Sequence, residues 1–158
     1  MATDPKHIEN RNRLNDITLL AMAISFWDTL GRTAFAFSAP IGNHNLYMIQ
    51  KELGCEIGGD SPGEILMSIC QAFIDEFGYA SEIEITSEYE GHFEVRVKDY
   101  VNLYFVRTLL AAGVEQPFLD PIMNTCQAML RKMDYRTHQK LDIWEEGNGI
   151  IITFTEAV

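Results

Sequence analysis

Apolar side chains recur at every third or fourth position near the start of the chain, which predicts a long helix. The helix is predicted to begin at Asp4 and Pro5, because aspartate accepts a hydrogen bond from a first-turn amide and proline has no amide hydrogen to leave unpaired there. One apolar face runs through Ile17, Leu20, Ile24, Trp27 and Ala34, and other apolar side chains surround it at Ala23, Phe26, Leu30, Phe35 and Phe37. Gly31 is expected to bend or break the helix. Because the helix is apolar on several sides, we expect it to be central in the fold or shared with a second copy.

Two shorter helices are predicted next. Residues 40–45 combine proline, glycine and asparagine, so we interpret them as a turn. The helical spacing then returns, up to Gly54, at Leu46, Ile49 and Leu53. Further along, Ser61 and Glu64 form a capping box, in which the serine accepts from the amide of Glu64 and the glutamate reaches back to the serine amide. The helix that they open ends at Gly78 and is apolar at Ile65, Ile69, Phe73 and Phe77.

The spacing of apolar residues then changes from about 3.6 to 2, which is typical of strands. Residues 83–85 and 93–97 alternate between apolar and polar side chains on either side of residues 89–92. Residues 137–143 and 150–154 repeat this pattern around the turn that contains Gly147 and Asn148. Each pair is predicted to be an antiparallel hairpin with one buried and one solvated face.

Helical spacing lies between the two hairpins. It extends up to Gly113 at Leu103, Val106, Leu109 and Leu110. Asp120 and Pro121 repeat the helix start of Asp4 and Pro5, followed by a buried stripe at Ile122, Cys126, Met129 or Leu130, and Met133. The order is therefore three helices, a hairpin, one or two helices and a second hairpin. Because helices and strands are segregated, we predict an α+β fold in which a helical layer packs on a small antiparallel sheet of two hairpins. Residues 1–158 are interpreted as one domain.

Composition and charge exclude several classes of protein. An apolar fraction of 47% excludes a disordered chain, and a formal net charge of −11 repels nucleic acids and anionic membrane surfaces. The longest uncharged stretch, residues 33–50, contains Pro40, Gly42 and His44 and is not interpreted as a membrane span. The three cysteines form no C-x-x-C pair, and the first residues lack the apolar core of a signal peptide, so we expect a cytoplasmic protein with free thiols.

The residues that most often carry catalysis show no catalytic spacing. His7, His44, His92 and His138 include no pair four residues apart, so no zinc site is predicted. There is no G-x-S-x-G motif, and the glycine-rich residues 58–63 lack the lysine of a phosphate-binding loop, so we interpret them as a connector and a helix cap. We therefore expect neither an enzyme nor a cofactor.

The cysteines and aromatic residues leave alternatives open. Cys70 and Cys126 lie on apolar helix faces and are expected in the core, whereas Cys55 follows a glycine in a loop and is expected to be the most exposed. Aromatic residues are plentiful, at Phe26, Trp27, Phe35, Phe37, Tyr100, Tyr104 and Phe105. They fill the core, line a cavity for an apolar ligand, or form a dimer contact, and the sequence does not separate these three roles.

The order of three helices, a hairpin, helices and a second hairpin resembles the fold shared by three groups of proteins. These are vinyl-reductase-type hydrocarbon-binding domains, Bet3-type transport-particle subunits and haem-based nitric oxide sensor domains. The resemblance lies in topology and length and covers nearly the whole chain. It implies a site for an apolar ligand, a lipid chain or haem between helices and sheet, and pairing through the early helices.

The chain departs from each of these groups in residues that bind their ligands. The haem sensors carry a histidine after the first hairpin and a Tyr-x-Ser-x-Arg motif, but no histidine lies between His92 and His138 here, so we expect no haem. The vinyl-reductase-type domains have several cysteines in their C-terminal half, whereas Cys126 stands alone, so we expect no metal. Transport-particle subunits can carry an acyl chain on a cysteine that leads into an apolar tunnel; Cys70 is the only candidate by position for this cysteine, and no local motif accompanies it.

Two hypotheses for the function follow, and a third, an enzyme that uses Cys55 or His44, ranks below them. The first is a non-enzymatic sensor or regulatory domain that binds a small apolar ligand between helices and sheet, as a homodimer. Its predicted ligand-binding residues are Trp27, Phe35, Phe37, Cys70, Tyr104, Phe105 and Cys126. The second is an interaction module without a ligand pocket, which docks through its aromatic first helix.

Overall fold

The computed structural model describes residues 4–157, in which five α-helices accompany four β-strands. In chain order the elements are α1 (Pro5–Leu30), a 3₁₀ helix (Gly31–Phe37), α2 (Ser38–Tyr47), a π-helical turn (Met48–Glu52), α3 (Pro62–Asp75), β1 (Glu82–Thr86), β2 (His92–Lys98), α4 (Leu103–Ala111), α5 (Pro121–Lys132), β3 (Thr137–Trp144) and β4 (Gly149–Glu156). The predicted α+β fold with two hairpins is confirmed. The single domain predicted over residues 1–158 includes four residues outside the described part and stays a prediction.

The two hairpins join into one antiparallel sheet through their second strands. The strand order is β1-β2-β4-β3, so β2 and β4 are central and Val95 pairs with Ile152. Along each strand the side chains alternate between the helical layer and solvent, as the period of two predicts. The sequence patterns did not predict which strands of the two hairpins would meet.

The main core lies between the sheet and helices α3 and α5. Their apolar side chains pack with those of the strands in one continuous cluster. Helix α5 is buried on nearly all sides, since its residues from Ile122 to Ala128 are all buried. The predicted single buried stripe on α5 is therefore too narrow. The reason is that α2 covers the side of α5 that the stripe left to solvent.

The turn predicted at residues 40–45 is wrong, because these residues lie within helix α2. Pro40 lies in the first turn of α2, where amide hydrogens have no partner within the helix, so its missing amide hydrogen costs nothing. Gly42 is the point of closest approach to α5. A Cβ atom at this position would lie 2.1 Å from the carbonyl oxygen of Asn124. The glycine and proline thus permit tight helix packing here and do not form a turn.

A second, smaller core joins the end of α1 to the 3₁₀ helix and α4. Ala23, Ala34, Leu109, Val114 and Phe118 are buried in it. Helix α1 ends at Leu30 because Gly31 takes a positive φ of 53°, as the sequence predicted for a break at this residue. The 3₁₀ helix then folds back on α1.

Polar side chains cap the helices as predicted, with one correction. Ser61 accepts a hydrogen bond from the amide of Glu64 at 3.3 Å, and the carboxylate of Glu64 accepts from the amide of Asp60 at 2.7 Å. The predicted partner of that carboxylate was the amide of Ser61, one residue later.

Within residues 4–157, no helix combines the length and apolar character needed to cross a bilayer.

Candidate functional site

The first half of α1 has no side that is covered by the rest of the domain. Every residue from 4 to 19 is exposed, including the apolar residues Ile8, Leu14, Ile17 and Leu19. Helices gain most of their stability from packing an apolar face. This segment of α1 therefore exposes apolar surface that the described chain does not use.

A row of apolar side chains continues along the outer side of α1. We define the α1 stripe as Leu19, Met22, Phe26, Leu30 and Phe37, and none of these residues is buried. The first four lie three or four residues apart, so they share one helix face. Phe37, from the 3₁₀ helix, stacks on Phe26 with ring centroids 5.1 Å apart and extends the stripe beyond the end of α1. The stripe is a continuous apolar surface on the outside of the molecule.

A second aromatic cluster lies where α1 meets the 3₁₀ helix and α4, and Phe26 of the α1 stripe also packs against this smaller core. The rings of Trp27 and Phe35 lie 5.5 Å apart, and Phe35 meets the buried ring of Phe118 edge-on at 6.1 Å. Phe105 of α4 packs against the same cluster. Trp27, Phe35 and Phe105 are only half-buried, so this cluster is open to solvent on one side.

The structure divides the predicted ligand-binding residues between several places. Trp27, Phe35 and Phe105 come together in the smaller core, whereas Phe37 belongs to the α1 stripe. Tyr104 is 76% exposed on α4. Cys70 and Cys126 lie in the main core, away from this aromatic cluster. The predicted set therefore does not line one cavity, and its contact with a ligand stays a prediction.

The space between helices and sheet is filled by side chains. Residues from both layers have no accessible surface, among them Leu66, Ile69, Cys70, Val95, Cys126, Ile152 and Phe154. A residue with zero accessible surface borders no void large enough for a water molecule. A ligand in contact with these residues would therefore require the core to open.

Two thiols meet in this core. Cys126 shares a hydrogen bond with Cys70, and this bond together with burial raises the pKa of the Cys126 thiol well above its usual value. A protonated thiol is a poor nucleophile. Cys55 is half-buried, so it is the most exposed of the three cysteines, as the sequence predicted.

A buried carboxylate lies at the start of α5. Asp120 is 1% exposed; its Oδ1 accepts from the amide of Met123 at 2.8 Å, and its Oδ2 accepts from the hydroxyl of Tyr100 at 2.6 Å. Burial raises the pKa of Asp120 to about 6, although these hydrogen bonds favour the charged form. Burial and the nearby Asp120 also raise the pKa of Tyr79. The hydroxyl of Tyr79 is hydrogen-bonded to the side chain of Asn102. These groups form a structural network at the junction of the two cores.

Several buried polar atoms lie between α5 and the start of β3. Gln127 Nε2 donates to the carbonyl of Thr137 at 3.4 Å. Within the described residues, the side-chain oxygens of Gln127, Thr137 and Gln139 have no hydrogen-bond partner. They offer acceptors to a small hydrogen-bond donor such as a water molecule.

A groove of about 490 Å³ lies between α3 and the chain segment that precedes it. Met67, Ala72 and Cys55 form its apolar part. Its other described lining residues are polar, namely Glu56, Glu64, Ser68, Gln71, Asp75 and Glu76. Four of these carry carboxylates, and no lysine or arginine is among the described residues that line the groove.

Metal-binding residues do not converge in the part of the chain that the structure covers. No group of three His, Cys, Asp or Glu side chains there is placed to hold an ion. His7, His44 and His138 are exposed, and His92 is half-buried with its Nδ1 atom 3.3 Å from the hydroxyl of Thr155. The histidines lie apart from the cysteine pair.

The chain matches no model of a known protein family and no curated protein. The resemblance in topology to the hydrocarbon-binding superfamily therefore stays a prediction.

Sequence patterns did not identify three of these features. Leu19 and Met22 were outside the predicted apolar face, although their spacing from Phe26 places them on one side of α1. Asp120 was recognised only as a helix cap, because its burial depends on Tyr100, which is distant in the chain. The groove along α3 depends on how residues 55–58 fold back, and no local pattern predicts this.

Proposed function

We propose that this protein is a non-enzymatic regulatory or interaction domain that pairs with a second copy of itself through the α1 stripe. The observation that supports the proposal is the continuous apolar row on the outer side of α1, which the described chain leaves uncovered. Soluble monomers seldom expose contiguous apolar surface of this kind, and such surface usually marks a protein interface. Its free thiols fit a reducing compartment, and we place the domain in the cytoplasm.

Charge favours a second copy as the partner. Residues 19–37, which carry the α1 stripe, contain one acidic side chain, Asp28, and one basic side chain, Arg32. This segment is therefore neutral, whereas the whole chain has a net charge of −11. Two copies meet with least repulsion where each is neutral. Pairing of one patch with itself about a two-fold axis is also the commonest assembly of soluble proteins.

The pairing is tested by the charged variant Met22→Glu. Met22 is 46% exposed, so the substitution leaves the fold of one copy intact. We expect it to raise the dimer dissociation constant at least about tenfold, because it removes apolar contact and places a carboxylate in the interface. Sedimentation equilibrium of the full chain measures this constant. Trp27→Glu is a poorer test, since Trp27 packs on Phe35 and its loss disturbs the smaller core.

Ile17→Glu is the matched control. Ile17 lies on the same helix, is 54% exposed, and receives the same charge, but faces about half a turn away from Met22 and Phe26. We expect its dissociation constant to stay close to that of the wild type. Equal effects of the two substitutions, or a wild-type chain that is monomeric at every concentration, would refute pairing through the α1 stripe.

We propose the binding of a small apolar ligand as the second function. The half-buried ring cluster of Trp27, Phe35 and Phe105 supports it, because this cluster is both aromatic and open on one side. A ligand that binds only the folded state raises the melting temperature. Long-chain fatty acids and aromatic hydrocarbons are suitable probes, and a melting temperature that none of them changes would count against this proposal.

A further inference from the structure

Helix α3 forms one wall of the groove, and the chain segment at residues 55–58 forms the other. Hydrogen bonds to Ser68 hold this second wall in place. The hydroxyl of Ser68 donates to the carbonyl of Glu56 at 3.4 Å and accepts from the amide of Gly58 at 3.3 Å. These bonds fix residues 56–58 against α3. A preformed groove lowers the entropic cost of binding, because fewer groups must be ordered.

The chemistry of the groove is mixed. Met67 lines the groove and is 40% exposed, and methionine adapts to partners of different shape because it is flexible and polarisable. The acidic residues Glu56, Glu64, Asp75 and Glu76 also line the groove; the carboxylate of Glu64 accepts from the amide of Asp60, and that of Asp75 accepts from the side chain of Gln71. The complementary surface therefore combines an apolar side chain with positive charges.

A metal ion does not fit the groove, because no group of three His, Cys, Asp or Glu side chains among the described residues is placed to hold one. Glu64 and Asp75 are eleven residues apart on α3, which corresponds to about 16 Å along the helix axis. One ion contacts ligands within about 2.6 Å, so these two carboxylates cannot share it. Anionic lipids and nucleic acids are repelled by the same charges. A basic polypeptide satisfies both the length and the charge of the groove.

We propose that this groove is a docking site for a basic, partly apolar peptide segment of another protein. An apolar side chain of the segment contacts Met67, and flanking lysine or arginine residues lie near the carboxylates. Lysine and arginine suit this role because their aliphatic stems cover apolar surface while their charges reach the acidic side chains. The proposal does not depend on pairing through α1, since none of the groove residues belongs to α1 or the 3₁₀ helix.

Cys55 provides the readout, because it lines the groove and is half-buried, whereas Cys70 and Cys126 are fully buried. A small aromatic disulfide reagent added to the native full-length protein therefore reports on Cys55. We expect a short amphipathic peptide of leucine and lysine to slow this labelling in a saturable way. The same peptide with glutamate in place of lysine should leave the rate unchanged.

Met67→Ser separates docking in the groove from attraction by the net charge, since it leaves every charge in place. We expect it to weaken protection by the leucine and lysine peptide about tenfold. Met48→Ser is the matched control, because Met48 is 50% exposed on the π-helical turn, outside the groove, and should have no effect. Circular dichroism of both variants checks that they fold.

Two results would overturn the proposal. One is equal protection of Cys55 in the wild type and in Met67→Ser, which would show that charge alone holds the peptide and that it does not dock on Met67. The other is protection of Cys55 that rises with protein concentration when no peptide is present, which would identify a second copy of this chain as the occupant. Neither result depends on whether Met22→Glu changes the oligomeric state, so the two proposals fail separately.

Discussion

Replacing Gly42 with alanine should destabilise the protein by about 3 kcal/mol. The added Cβ would lie 2.1 Å from the carbonyl oxygen and 2.7 Å from the carbonyl carbon of Asn124, and both are backbone atoms that cannot move without shifting α5. Because α5 is buried among α2, α3 and the sheet, moving it disturbs the main core. Urea unfolding followed by circular dichroism measures the loss, with the protein concentration held constant.

Gly63→Ala is the control for this prediction. Gly63 lies in the first turn of α3, and a Cβ at this position meets nothing within 4 Å. Alanine has the higher helix propensity, so we expect Gly63→Ala to be neutral or stabilising by up to about 1 kcal/mol. Similar stabilities of the Gly42 and Gly63 variants would show that α2 and α5 are not as close as described.

Changing Asp120 to asparagine should remove a pH dependence of stability between about pH 4 and pH 6. In the folded protein the pKa of Asp120 is raised from 3.8 to about 6, chiefly by burial. The folded state therefore binds this proton more tightly than the unfolded state. The contribution of Asp120 to the free energy of unfolding is therefore greatest below the pKa that this group has in the unfolded state. This contribution is lost as the pH rises through the pKa of the folded state. The full change is about 3 kcal/mol, at 1.36 kcal/mol per pKa unit.

The measurement is the difference in unfolding free energy between Asp120→Asn and the wild type across this pH range. Asparagine still caps α5 but never carries the buried charge, so we expect the variant to gain about 3 kcal/mol relative to the wild type between pH 4 and pH 7. Asp4→Asn makes the same change at the exposed cap of α1 and reports what an exposed cap contributes. A difference that stays constant with pH would contradict the burial of an ionisable carboxyl at this position.

Hydrophobic periodicity predicted most of the secondary structure, because each element has one face towards the core. Helix α3 and both hairpins follow this rule, and their caps and turns lie where local residues predict them. The rule fails for α2, where Pro40 and Gly42 are typical turn residues. Their role in a helix depends on the contact with Asn124, more than eighty residues away in the chain.

Long-range contacts also explain what the sequence did not predict about the sites. The aromatic residues near α1 were expected to fill the core, line a ligand cavity or form a dimer contact, and the structure divides them between the smaller core and the α1 stripe. The division depends on where Gly31 turns the chain, so that Phe35 faces inward while Phe37 stacks outside on Phe26. The pairing of Asp120 with Tyr100 likewise depends on tertiary packing.

The topology of the sheet is a further property that local patterns do not encode. Both strands of each hairpin have one apolar face, so the hydrophobic periodicity is compatible with several orders of the four strands in the sheet. The observed order places the strands with fully buried side chains, β2 and β4, at the centre, which leaves β1 and β3 as the edges. β3 carries the alternating charged side chains of Lys140 and Asp142, which discourage pairing with other strands.

Native mass spectrometry of the full-length protein over a range of concentrations tests the central claim, which is that the chain pairs with itself through the α1 stripe. We predict a dimer for the wild type, with twice the mass of the chain, and a monomer for Met22→Glu at the same concentrations. The same spectra report any small molecule that stays bound, as the second proposed function requires. A wild-type chain that is monomeric throughout, or a dimer that persists unchanged in Met22→Glu, would contradict the claim.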